Sequence, residues 1–138
     1  MSNAISRRLM LALVMLFAGL WLVVGCSSDG PQPSLTGQQK TAAIDQITAL
    51  DEVVDALIEQ PNKKTLSLAV TVNFGTSKDR ARNVGESFVR MVKSLGPDNA
   101  PGQQIGSGIY DYEITVLYPD RTTVVQGSKV QGVTRISW

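Results

Sequence analysis

The residues able to do chemistry in this chain fall into a few groups. Asp51, Asp55 and Glu59 are four residues apart, with Glu52 beside them. Carboxylates at that spacing share one face of a helix, and such pairs can do acid–base work or hold a hard cation. A catalytic or cation site also needs oxygens converging from several elements, with some burial. One helix face supplies neither, so the cluster reads as a solvated face. A second segment is basic: Lys78, Arg80, Arg82, Arg90 and Lys93 stand against Asp79 and Glu86. Arg82, Arg90 and Lys93 are candidates for contact with anionic headgroups or with the acidic face of a second copy, so homo-oligomers are allowed for. Each exposed pair is worth only ~0–1 kcal/mol.

Two further patterns carry less chemistry. Gly102-Gln103-Gln104-Ile105-Gly106-Ser107-Gly108 has the look of a phosphate loop. Such loops follow a strand and open a helix, whereas this one follows a helix, opens a strand and lacks the Lys-Ser or Lys-Thr ending. It reads as a plain connection. Tyr110, Tyr112 and Tyr118 fall on one face of a strand. Their rings suit either the core, with hydroxyls at the rim, or an interface row. Trp138 either folds back to close the core or inserts into a partner.

Composition excludes much else. The 138 residues hold 13 Lys and Arg against 12 Asp and Glu, a net charge of +1. That balance argues against a nucleic-acid binder. There is no histidine, so Ser-His and Cys-His nucleophiles and His-ligated metals drop out. One cysteine permits neither an intrachain disulfide nor a Cys-cluster metal site. No Ser-x-x-Lys stands in the mature region, and no enzyme signature emerges. The reading is a non-enzyme without metal or cofactor.

The N-terminus points to a compartment. Arg7 and Arg8 precede an uncharged run from Leu9 to Gly25, in the manner of a secretory signal. The run ends in Val23-Val24-Gly25-Cys26. These four residues resemble the lipobox of bacterial lipoproteins, with Val in place of the commoner Leu at its first position. The resemblance implies cleavage after Gly25 and a diacylglycerol thioether on Cys26. It covers the signal and says nothing about the mature domain. The competing reading is an uncleaved anchor, whose 17 residues are at the lower limit for crossing a ~30 Å hydrocarbon core.

Three segments follow: a signal peptide over 1–25, an acylated cysteine and flexible tether over 26–38, and a small domain over 39–138. The tether is rich in Ser, Gly and Pro. In the domain, the spacing of Ile44, Ile47, Leu50, Val54, Leu57 and Ile58 predicts a helix over 39–60, stopped by Pro61. Leu66, Leu68, Val70, Val72 and Phe74 alternate as a strand. A second helix is expected over 77–95, with Thr76 and Asp79 as its capping pair, Gly85 marking close packing, and Gly96-Pro97 ending it. Strands are expected over 110–118 and 121–127, with a further one within 129–138. The sum is an α+β fold: a two-layer domain with a mostly antiparallel sheet covered by helices on one face.

The function expected is that of a lipid-anchored envelope lipoprotein, on the outer face of the cytoplasmic membrane or in an outer membrane, periplasmic or extracellular. It would act as a non-catalytic protein-interaction or assembly module, held to the membrane through acylated Cys26. Two alternatives stay open: a phage or mobile-element lipoprotein that excludes competing DNA, and a carrier of a small apolar ligand.

Overall fold

The computed structural model describes residues 33–98 and 105–138. The signal, its cleavage position Gly25, and Cys26 lie outside these residues. No helix among the described residues is long and apolar enough to cross a membrane.

The fold is organised around the strongest period-two segment. Thr65–Val72 forms strand β2, and its Leu66, Leu68, Val70 and Val72 are completely buried. Burying each such side chain contributes roughly 1.5–3 kcal/mol. On one side β2 pairs antiparallel with β1 (Val53–Glu59), and on the other it runs parallel to β3 (Asp111–Leu117). Strand β4 (Thr123–Lys129) pairs antiparallel with β3. The sheet order is β1-β2-β3-β4.

Two helices supply the second layer, as expected for an α+β domain. α1 spans Gly37–Thr48 and α2 spans Lys78–Leu95. They pack on each other; α1 also touches β1, and α2 touches β2, β3 and β4. α2 buries Ala81, Val84, Gly85, Phe88, Val89 and Val92. Its N-cap is Ser77, whose hydroxyl accepts from the Arg80 amide; Thr76 instead bonds the Asn73 carbonyl. α1 starts from a capping box, in which Thr36 Oγ1 accepts from Gln39 N and Gln39 Oε1 accepts from Thr36 N.

The long helix expected over 39–60 is not formed. α1 ends at Thr48, and 53–59 is the edge strand β1. The apolar spacing of Val54, Leu57 and Ile58 fits a helix, but the segment is rich in β-branched residues that suit a pleated surface. Val53, Ala56 and Ile58 turn inward, while Val54 and Leu57 stand 53% and 51% exposed. Pro61 therefore opens a hairpin turn and does not stop a helix. In that turn Asn62 Oδ1 accepts from the Lys64 and Thr65 amides.

The further strand expected within 129–138 is also absent. Only one bridge forms, Ser128 with Ser137, through two backbone hydrogen bonds of 2.9 and 2.8 Å. The folded unit also reaches upstream of Gln39. Leu35 is buried, against Gly96 at the end of α2, and Tyr110 donates its hydroxyl proton to the Pro33 carbonyl.

Candidate functional site

Both helices pack on one side of the sheet, and among the described residues no helix covers the other face. Register places three rows across it. Asp55, Thr71 and Leu117 form the first; Leu57, Ala69, Thr115 and Gln126 the second; Glu59, Ser67, Glu113 and Ser128 the third. β2 contributes the small side chains Ser67, Ala69 and Thr71, and carboxylates come from Asp55 and Glu59 of β1 and from Glu113 of β3. A shallow groove of about 280 Å³ runs past Asp55, Leu57, Ala69, Thr71, Leu117 and Arg121. β1 is one of the two outer strands, and no described strand pairs its far edge; the outer side of β4 carries the Ser128–Ser137 bridge. A register shift between Val53 and Asp55 breaks one end of that edge, and Asp55 to Glu59 stay regular.

The acidic ladder is thus divided, which corrects the expectation of one helix face. Asp51 sits in the turn before β1. Glu52 pairs with Arg80 at 2.6 Å. Asp55 and Glu59 line the open sheet face, two residues either side of exposed Leu57.

The aromatic residues go elsewhere. Tyr110 and Tyr112 are each 1% exposed and meet edge to face at 6.3 Å. Tyr118 donates to the Thr76 carbonyl at 2.9 Å and stacks on exposed Phe74 at 5.5 Å. Trp138 is half-buried, packed between Gly85 of α2 and Gly127 of β4. Of the basic candidates, Arg82 is accessible beside Asp79 at 3.5 Å, and Arg90 pairs with Glu86 at 3.1 Å. Lys93 is 1% exposed and offers no surface contact.

Lys93 belongs to a buried polar cluster that sequence reasoning missed. Its Nζ donates to the Ser107 carbonyl at 2.7 Å and lies 3.6 Å from Asp98 Oδ2. Asp98 Oδ1 accepts from the Ile109 amide at 2.9 Å. Lys129, 2% exposed, has its Nζ 3.4 Å from the Val130 carbonyl and 5.8 Å from the centre of the Tyr112 ring. One signal was present: Gly85, Val89 and Lys93 are four residues apart on the buried row of α2.

Burial, then the Lys93 charge, pushes the Lys129 pKa below its ordinary value of 10.5, with Asp98 and Asp111 opposing. Burial also raises Tyr110 and Tyr112, aided by the Asp98 charge. Between the folded Lys129 pKa and 10.5, the unfolded chain holds a proton that the folded chain lacks. Unfolding therefore becomes harder as pH rises through that window. At neutral pH both states hold the proton and the desolvation penalty is complete. Lys129→Met is thus expected to be more stable than wild type at neutral pH, with the gap narrowing in alkali. The tyrosines act in the opposite direction, but in both proteins, and drop out of the difference. Urea unfolding of both proteins over this range checks it; a gap independent of pH would refute the lowered pKa.

Among the described residues, no group of three or more His, Cys, Asp or Glu could hold a metal ion. Set against protein-family models, curated proteins and solved structures, the chain has no match.

Proposed function

We propose that this protein is a lipid-anchored lipoprotein of the cell envelope, acylated on Cys26, that works as a non-catalytic interaction module. The single observation carrying the interaction reading is the sheet face beside the outer edge of β1, which no described strand pairs and where Asp55 Oδ1 accepts from the Ala56 amide at 2.9 Å. Leu57 stands 51% exposed there, flanked by Asp55 and Glu59. Edge strands recruit extended segments by backbone hydrogen bonding, with alternate side chains setting specificity. Two β1 strands paired antiparallel about Leu57 would set Asp55 against Glu59, and like charges directly opposite are destabilising. The edge therefore favours an extended partner segment carrying Lys or Arg on either side of an apolar residue. The signal and the lipobox resemblance support the anchor.

The test uses the full chain in cells. A clickable fatty acid labels wild type and fails to label Cys26→Ser, whose precursor accumulates. A photo-crosslinking residue at position 57 captures a partner, and the captured band disappears in Asp55→Lys/Glu59→Lys. Label absent from wild type overturns the anchor. Capture indifferent to charge reversal overturns the edge as the docking surface.

A further inference from the structure

A second feature lies away from the open face and stands apart from partner docking. A cleft of about 620 Å³ opens between Glu86 and Arg90 of α2, the segment at Ile105 and Gly106, and the tail at Thr134, Arg135 and Ile136. We infer that this cleft binds a small monoanion through a carboxylate or phosphate group held between Arg90 and Arg135.

Its volume lies within the ~300–1,000 Å³ typical of small-molecule sites. Its walls do not suit an apolar guest, because two guanidinium groups and a carboxylate line it. The charges do not cancel. Glu86 Oε2 is taken up by Arg90 at 3.1 Å, and Arg135 has no acidic partner among the described residues. One positive charge is left over, while Glu86 disfavours a polyanion. A guanidinium presents a planar fork that matches carboxylate and phosphate oxygens, and it keeps its proton at any working pH.

The site is also held in place before any ligand arrives. Arg90 sits on a regular helix. Arg135 lies in a tail fixed by the two Ser128–Ser137 hydrogen bonds and by Trp138 packed against Gly85 and Gly127. A ligand does not have to order the segment that carries Arg135. Ile105 and Ile136 provide apolar surface for the remainder of a ligand.

Isotope-labelled full-length protein in a non-ionic detergent, titrated with hexanoate, inorganic phosphate or hexylammonium and followed by amide and Arg side-chain NMR, tests this. Saturable shifts at Thr134, Arg135, Ile136 and the Arg90 side chain are expected with at least one anion. Arg135→Gln should weaken that binding by ~tenfold or more, the loss of one charged hydrogen-bonding partner. Lys63→Gln, on the β1–β2 turn, should leave it unchanged. A response to hexanoate alone assigns a carboxylate ligand, and a response to phosphate alone assigns a phosphate. Three results would overturn the site: no saturable shift with either anion, an equal response to hexylammonium, or unchanged affinity in Arg135→Gln.

Discussion

Asp98→Ala is expected to lower the unfolding free energy by about 3–5 kcal/mol, the typical cost of stripping one partner from a buried ion pair. Asp98 Oδ2 faces Lys93 Nζ at 3.6 Å, and the two side chains are 6% and 1% exposed. Without the carboxylate, the ammonium keeps only the Ser107 carbonyl, with a second buried lysine in the same cluster. The Ile109 amide loses its Asp98 acceptor as well. Domains of this size have only ~5–15 kcal/mol in total, so the variant loses a large share of its stability.

The same argument sets the rescue. Replacing both members of a buried pair by apolar groups is often neutral or stabilising. Lys93→Met/Asp98→Ala should therefore recover most of the loss, and Lys93→Met alone should cost less than Asp98→Ala. Urea unfolding of wild type, both single variants and the double variant gives the coupling directly. If Asp98→Ala unfolds within about 1 kcal/mol of wild type, the Lys93 ammonium reaches water and the pair is not a buried one.

Gly85→Ala should change sign with the state of Trp138. In an open helix the substitution gains roughly 1 kcal/mol from helix propensity. Here a Cβ at position 85 would lie 2.7 Å from Trp138 Cη2 and 3.1 Å from Ile114 Cγ2. Both the tail and the sheet would have to shift. Overpacking of this kind costs about 1–3 kcal/mol, which outweighs the propensity gain. At position 127 a Cβ would lie 2.6 Å from Trp138 Cε3 and 2.9 Å from Ile136 Cγ2. The indole thus fills a slot that two glycines leave between α2 and β4.

Trp138→Ala should itself cost about 2 kcal/mol, from the burial it removes. Once the indole is gone, Gly85→Ala is expected to be neutral or stabilising, limited by the remaining Ile114 contact. Thermal unfolding of the four proteins of the cycle reads the interaction. Gly85→Ala stabilising with Trp138 intact would mean that the tail does not occupy the slot. That result would also remove the support proposed for Arg135, because the indole holds its segment against the domain.

What the sequence determined by itself follows from how local each signal is. β2 alternates over its whole length, so the buried face from Leu66 to Val72 was legible without knowing its neighbours, whereas Phe74, expected on the same face, lies beyond the strand and is exposed. α2 has an apolar stripe and Gly96-Pro97 at its end, and it forms within a residue of the expected range, although its cap is Ser77 and not Thr76. The two-layer α+β architecture, with helices on one face, follows from those two elements and the short strands after them. Gly85 signals a close approach, but what approaches it is not written locally.

Only the tertiary structure decided the rest. The segment 53–59 carries apolar residues at spacings that serve either a helix or a strand. The vacant edge of β2 settles it, because ladder hydrogen bonds and the burial of Val53, Ala56 and Ile58 outweigh small differences in intrinsic propensity. The acidic residues counted along one helix were thereby distributed between a turn, an ion pair and the open sheet face. Lys93 and Asp98 are only five residues apart, yet their pairing depends on Ser107 and Ile109 returning over the end of α2. Lys93 lies on the buried row of α2, but that spacing says nothing of the partners a buried charge needs. The cost of its burial is offset by partners that the folded chain brings together, and so the lysine cluster, the seat of Trp138 and the arginine-lined cleft appear only in three dimensions.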